Sequence, residues 1–439
     1  MKTYQKMKNS GIEWIGDIPE HWETRPLFVA CKENQRTNHD HSISNVLSLS
    51  YGKIIPRDVQ NNFGLLPESF DSYQIVIPGH IILRLTDLQN DHRSLRVGLV
   101  KELGIITSAY VGLEPNSKII SEYLYYLLHT YDLQKIFYGM GGGVRQSMKF
   151  SDLKRLLLII PSTKEQKQIA DFLESTTKGI DENISKSQKL VELLKEERQS
   201  IINQAVTKGL DPIVPMKDSG IEWIIDMPEN WGISKIKYSS YVKGRVGWQG
   251  LRSEEFIDDG PYLITGTDFE DGKVNWKKCY HVKQWRYEQD PYIQVKEKDL
   301  LITKDGTIGK LAYVDTLPGK ATLNSHLLVI RPLNNEFTTR FLYWVFHSDY
   351  FIRYVNLIQT GTTFYGISQE SVENFAFILP EINEQNRITD FLDKKISKIN
   401  SLISKTEIQI EKLEEYARSL ISQTVTGKID VRAASLIIQ

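Results

Sequence analysis

The chain is poor in the features that mark whole classes of protein. Its 439 residues hold two cysteines, Cys31 and Cys279, too few for a disulfide framework or a cysteine-built zinc site. Long hydrophobic runs are missing. The longest aliphatic stretch is LLLII at 156–160, against the roughly 20 apolar residues that span a bilayer, so no membrane partner is expected. Neither sign of charge dominates: 54 Lys and Arg stand against 55 Asp and Glu, a net charge of −1. No global field therefore marks a polyanion binder, although local basic grooves remain open. The opening MKTYQKMKNS has no apolar core, so no secretory leader is expected and the chain reads as soluble and cytoplasmic. What is present is material for cores. Apolar residues make up 41% and aromatics 10%, which excludes a disordered chain, and the length suits about two to four domains.

Catalytic signatures are scarce too. GTIGK at 306–310 lacks the upstream glycine of a phosphate-binding loop. GMGGGV at 139–144 lacks the spacing of a dinucleotide loop, and no Asn-Pro-Pro-aromatic run of an amino-methyltransferase occurs. Asp258 or Asp259 with Asp271 and Lys273 could be combined into a nuclease site, but a hairpin turn accounts for Asp271. His39 and His41 flank Asp40 in a polar stretch that reads as a solvated loop, not a metal site. The expected metal set is none, and so is the catalytic set.

The dominant feature is that the chain contains itself twice. GIEWIGDIPEHW (11–22) returns as GIEWIIDMPENW (220–231), identical at nine of twelve positions and offset by 209. EQKQIADFLE (165–174) returns as EQNRITDFLD (384–393), offset by 219, and without a gap 164–207 matches 383–426 at 18 of 44 positions, closing on QAVT and QTVT. Between these markers the halves diverge, apart from EYLYYLLH (122–129) against RFLYWVFH (340–347) and a shared order of Gly-containing loop, short helix, apolar strand and proline near 141–161 and 360–380.

The repeated segment near the end of each half has apolar positions spaced alternately by three and four, an average of 3.5, which is the period of a left-handed coiled coil. The first seam reads Leu173, Ile180, Ile184, Val191, Leu194 and Ile201, interrupted by Ser187 and Arg198. The second reads Leu392, Ile396, Ile399, Ile403, Ile410, Leu413 and Leu420. Ser162 or Thr163 suits the first N-cap, and Gly209 with Pro212, and Gly427, suit the stops. At about 1.5 Å per residue each helix would be about 66 Å long. If the halves are related by a two-fold axis, the helices run antiparallel.

Both inserts mix strand and helix signals. Asp271–Gly272 and Asp305–Gly306 suit hairpin turns, and 45–56 and 75–85 read as strands. Residues 23–160 carry a net +2 and 232–379 a net +1. Groups able to meet a ligand gather in the loops. One set is Gly142, Arg145, Gln146 and Ser147, and its counterpart is Gly361, Thr362, Thr363, Tyr365 and Ser368. Glycine permits close approach to a phosphate, and hydroxyl and amide groups serve phosphate and base edges alike. Further sets are Arg84, Arg93 and Arg96; Lys243, Arg245, Trp248, Gln249 and Arg252; and Lys304, Thr307 and Lys310.

The repeated opening, the repeated P…EQxxIxxFL start of a long helix, the QAVT/QTVT close and the two divergent inserts together resemble the specificity subunit of type I restriction–modification systems. The resemblance spans nearly the whole chain. It implies an α/β fold with internal pseudo-two-fold duplication: two globular target-recognition domains, 1–160 and 209–380, joined by two long helices in 161–208 and 381–439 that form an antiparallel coiled coil. It also implies a non-catalytic DNA-binding role. The partners would be double-stranded DNA with a bipartite asymmetric target, two adenine-modifying methyltransferase subunits, and restriction subunits that translocate and cut. S-adenosylmethionine, ATP and Mg²⁺ would belong to those partners, leaving no cofactor here. A methylation-only or phase-variable locus, or a coiled-coil scaffold without DNA specificity, are the alternatives.

Overall fold

The computed structural model describes residues 2–57, 69–88, 90–91, 95–140, 147–221, 224–245, 251, 253–359 and 366–432. Contacts divide the chain into two compact units, one formed by Met1–Gln188 with Ile408–Gln439 and the other by Lys189–Glu407. Each unit thus takes the start of one long helix and the end of the other.

The first unit opens with a hairpin of strands Met7–Asn9 and Asp17–Pro19. Its turn explains the repeated Ser-Gly-Ile: the Asn9 side chain accepts the Gly11 N–H at 2.8 Å, and Ser10 Oγ accepts the Ile12 N–H at 3.0 Å. Such side-chain capture of nearby amides is why Asn, Asp and Ser favour turns. The insert then builds a four-stranded antiparallel sheet in the order Cys31–Glu33, Val111–Pro115, Ile81–Leu83, Val97–Leu99. Helix Ser121–Leu133 covers it, burying Tyr123, Leu124, Leu127, Leu128 and Tyr131. A ribbon of Glu23–Pro26 with Leu157–Ile160 leads into the first long helix, Thr163–Lys208. Ser162 caps that helix, its Oγ accepting the Glu165 N–H at 3.3 Å.

The second unit repeats this plan. Strands Met216–Ile221 and Ile224–Pro228 form its hairpin, with Asp218 and Ser219 capturing the Gly220 and Ile221 amides at 2.8 and 3.0 Å. Its main sheet runs Ser240–Gly244, Leu327–Pro332, Leu300–Thr303, Leu311–Tyr313, and is extended by Lys273–Val274 and Phe269–Glu270. The first four strands match the first unit's order although the inserts share little sequence. Asp271 and Gly272, at φ 47° and 74°, make the tight turn their identities suggest. Helix Thr339–Phe346 covers the sheet, and Gly232–Lys235 with Ala376–Leu379 leads into the second long helix, Ile382–Val425.

Within each unit the two long helices pair antiparallel. In the first, Ile169 and Leu173 share one core with Leu420, Ile421 and Val425. In the second, Val191, Leu194, Ile202, Ala205 and Val206 share one with Ile388, Leu392, Ile396, Ile399 and Ile403. Arg198 Nη1 there donates to Asn400 Oδ1 at 3.1 Å, so one polar interruption of the seam is a cross-helix bond. Ile180 is also buried, whereas Ile184, Ile410 and Leu413 are half-buried. Ile201 is half-buried against the same core, and its neighbour Ile202 is buried. A straight helix drifts about 20° per heptad from a 3.5 repeat, and this end packs on a globular unit as well as on a helix.

The repeated Glu-Gln pair is explained by the helix starts. Gln166 accepts the Ile120 N–H at 2.8 Å and donates to the Pro161 and Lys118 carbonyls. Gln385 accepts the Thr338 N–H at 2.9 Å and donates to the Pro380 and Glu336 carbonyls. Each glutamine ties a long helix to the residue that caps the sheet-covering helix of its unit. Glu384 accepts the Trp231 indole N–H at 2.9 Å, while Glu165 accepts the Tyr4 hydroxyl at 2.6 Å.

The helix stops use the repeated tryptophans. Gly209 (φ 77°) and Gly427 (φ 71°) end the helices, and the buried Trp231 and Trp22 pack on them. A Cβ on Gly427 would fall 2.3 Å from Pro19 Cδ, whereas Gly11 has the same φ with nothing within 4 Å. Gly11→Ala is expected to cost only the left-handed backbone strain of about 1–2 kcal/mol. Gly427→Ala is expected to cost a further 1–3 kcal/mol, roughly, from overpacking. Chemical denaturation of the two variants checks this, and equal losses would contradict the Trp22–Gly427 packing.

Candidate nucleic-acid interface

In each unit a central strand leads into a loop, and the chain returns to that loop at the end of the Gly-containing segment. The Met148 N–H donates to the Leu85 carbonyl at 2.9 Å, and the Ile367 N–H donates to the Lys304 carbonyl at 2.6 Å. Both residues of one pair stand 219 positions from those of the other. Candidate sets far apart in sequence therefore meet in each unit. The Arg84 loop lies beside Ser147 in the first, and the Lys304–Lys310 loop lies beside Ser368 in the second.

Thr303 organises the second unit's loop. Its hydroxyl donates to the Thr307 carbonyl and accepts the Lys310 N–H at 2.9 Å, and the Gly309 N–H donates to the Thr303 carbonyl at 3.0 Å. Gly306 and Gly309, at φ 69° and 77°, supply a turn that other residues enter only with strain. Thr307 is exposed, and Lys304 and Lys310 are half-buried. Lys310 Nζ donates to the Gly266 carbonyl at 3.3 Å, which brings in the turn where the Thr265 and Thr267 hydroxyls lie 2.7 Å apart. Burial raises the Asp268 carboxyl above its ordinary value while the Thr265 N–H donates to it at 2.7 Å. Asp305 pairs with His326 at the rim. Cations, hydroxyls and an imidazole thus share one surface, able to meet phosphate oxygens and base edges.

Other candidates fall differently. In the first unit Arg84 is half-buried, 3.7 Å from Asp91, and Ser147 is exposed. Lys243 is half-buried on strand Ser240–Gly244. Ser368 is an N-cap, its Oγ accepting the Ser371 N–H at 3.0 Å. Arg93, Gly142, Arg145, Gln146, Trp248, Gln249, Arg252, Gly361, Thr362, Thr363 and Tyr365 lie outside the described residues.

Two candidates are corrected. Arg96 and Arg245 do not offer free cations, because both are buried. Arg245 donates from Nε to the Leu323 carbonyl at 2.9 Å and from Nη2 to Thr322 Oγ1 at 3.1 Å, and burial pushes its pKa below the usual value. Arg96 donates to loop carbonyls and to Tyr138. A guanidinium taken out of water needs acceptors inside the fold; Arg96 finds them, whereas Arg245 Nη1 meets none among the described residues.

Thr303, His326 and Thr265 were not among the residues that composition and motif point to. Extending the offset of 219 upstream from the long helices aligns Arg84 with Thr303, and that was the available signal. A separate groove of about 640 Å³ in the first unit is lined by Lys32, Arg36, Lys154, Glu114 and Phe150. Burial opposes ionisation of Glu114, but Lys32 at 2.8 Å and Arg36 at 3.4 Å hold its carboxyl below the ordinary value. Among the described residues no helix is long and apolar enough to cross a membrane.

A duplicated frame carrying two unlike loop surfaces defines a two-module recognition protein, and the comparisons with known proteins identify which kind. A family model described as the type I restriction modification DNA specificity domain matches residues 101–193 and 249–412. The chain belongs to that family. It is 25% identical over 444 residues to the putative type I restriction enzyme MjaX specificity subunit of Methanocaldococcus jannaschii, covering 98% of each chain. It is 21% identical to the StySPI specificity subunit of Salmonella potsdam, covering 94% of this chain and 90% of that one. Among solved structures, a chain from a study of complex assembly and conformational transition in the type I R-M system gives a TM-score of 0.68 at 15% identity. That match covers 94% of this chain and 99% of the other. The HsdS subunit from Thermoanaerobacter tengcongensis gives 0.52 at 15% identity, covering 94% and 98%. These likenesses establish the fold: two repeated α/β domains and two long helices.

The Thr303 arrangement is testable without any ligand. Thr303→Val keeps the shape and removes the hydroxyl that accepts the Lys310 N–H. Hydrogen exchange at the Lys310 amide is expected to accelerate by about tenfold, the scale of one net hydrogen bond, while Leu300–Ile302 stay protected. Unchanged exchange at Lys310 would contradict the assignment.

Proposed function

We propose that this chain is the sequence-reading, non-catalytic subunit of a type I restriction–modification complex, acting in the cytoplasm. Each unit would read one half of a bipartite, asymmetric DNA target. The observation that carries this reading is one frame built twice around unlike loops. The same sheet order recurs, and the same loop-to-loop hydrogen bond, Leu85 with Met148 and Lys304 with Ile367, recurs at one offset, while the side chains on the loops differ. A repeated frame suits two copies of one partner, and divergent loops suit two different half-sites.

The physical mechanism follows from what the loops carry. Lys304, Thr307 and Lys310 in the second unit, and the Arg84 loop in the first, present donors and acceptors that can address base edges. The major groove distinguishes all four base pairs. A short half-site binds weakly, and joining two readers in one chain makes the second contact intramolecular, so the pair discriminates where neither half would. The net charge of −1 leaves much of the phosphate attraction to partners. Those partners are two modification subunits that methylate adenine and restriction subunits that translocate and cut. S-adenosylmethionine belongs to the former, ATP and Mg²⁺ to the latter.

Replacing residues 23–160 by the corresponding region of a relative with a different target tests the reading. One half-site of the methylated sequence is expected to change and the other to stay. A target unchanged in both halves, from a complex that assembles, would overturn it.

A further inference from the structure

Arg96 is fully buried in the first unit, at the far end of the loop that follows strand Ile81–Leu83. A guanidinium has five N–H donors, and here five acceptors surround it. Nη1 donates to the carbonyls of Arg84 at 3.0 Å and Thr86 at 2.8 Å. Nη2 donates to the carbonyls of Asp87 at 3.3 Å and Asp91. Nε donates to Tyr138 Oη at 2.9 Å, and the Tyr138 ring centre lies 5.1 Å from the guanidinium carbon. The main chain of Arg96 is anchored as well, its N–H donating to the buried Asp132 carboxylate at 2.6 Å. Four of the five acceptors are main-chain carbonyls of one loop. That loop includes Asp87 in the left-handed region, at φ 56°, and it adjoins Met148 through Leu85. The carbonyls of Arg84, Thr86, Asp87 and Asp91 enclose the cation.

We infer that Arg96 is a specificity-positioning residue. It touches no DNA, and it fixes the positions in which Arg84, Thr86, Asp87 and Asp91 meet the half-site read by the first unit. The inference rests on the proposed function. Reading a base edge requires side chains held to within about half an ångström, which needs a supporting shell that is itself locked. Carbonyls have two lone pairs and no preference among loop side chains, so this device leaves the outward residues free to vary while the backbone stays set. Lysine cannot replace it. An ammonium has three donors from one point, against five in a planar fork.

The test is Arg96→Lys in the full chain, expressed with its modification subunits, with the methylated sequence read genome-wide. Leu127→Ala, buried in the same unit's core, is the control for general destabilisation. In Arg96→Lys, discrimination at one or more positions of the first unit's half-site is expected to fall by about tenfold, the scale of one good base contact. The other half-site should stay intact. Leu127→Ala should lower the fraction methylated with both half-sites unchanged. An unchanged sequence in Arg96→Lys, or equal loosening of both halves, overturns the inference. If Arg96→Lys does not assemble, Tyr138→Phe removes the Nε acceptor together with the hydroxyl's own 3.3 Å bond to the Asp91 carbonyl, and is expected to loosen the same half-site by about threefold, on the scale of one weak hydrogen bond. No loosening there overturns it. A wild-type chain that specifies no bipartite sequence would instead overturn the functional reading.

Discussion

The structure depends on one constraint: each long helix must bury its apolar face, and its two ends belong to different units. The chain meets it by giving each unit the start of one helix and the end of the other. Leu173 shares a core with Leu420 and Val425 in the first unit, and Leu194 shares one with Ile399 and Ile403 in the second. Because the helices pair antiparallel, each start meets the other's end, and the two units receive the same surroundings from a duplicated sequence. Gln166 and Gln385 then fasten each start, and Trp22 and Trp231 close on the glycine at each end.

That frame separates two demands on the sequence. Helix seams, hairpin turns and stops tolerate little change, since a Cβ at Gly427 or the loss of an amide partner at Gln385 disturbs packing directly. The loops are held mainly through main-chain groups: Leu85 to Met148, Lys304 to Ile367, and the carbonyls gathered by Arg96. Main-chain bonding is indifferent to side-chain identity. The exposed residues can thus vary without rebuilding the fold.

Legibility in the sequence follows the same division. The seams were readable because their period is local, and Asp271–Gly272 because its turn chemistry is. The shared sheet order of the two inserts was hidden, since strand ladders need no matching side chains. Gln166 and Gln385 stand out as repeated, but the amides they accept from, Ile120 and Thr338, lie 46 and 47 residues away in the chain, beyond any local pattern. Residue type makes Arg96 and Arg245 look like DNA contacts, because it cannot tell a solvated cation from one enclosed by the fold. Lys304, Thr307 and Lys310 are recognisable as residues around a turn, whereas Arg84 falls in the stretch 75–85 that reads as a strand, and the bond that brings each loop to its neighbour is not legible.

The central claim is that one chain holds two different readers on one repeated frame. Single-molecule sequencing of genomic DNA, from a host carrying this chain with its modification subunits and from one lacking only this chain, tests it most directly. The account predicts a methylated-adenine sequence, present only with this chain, made of two short unlike half-sites with a fixed gap. A continuous sequence, two identical half-sites, or an assembled complex that methylates no specific sequence would contradict it.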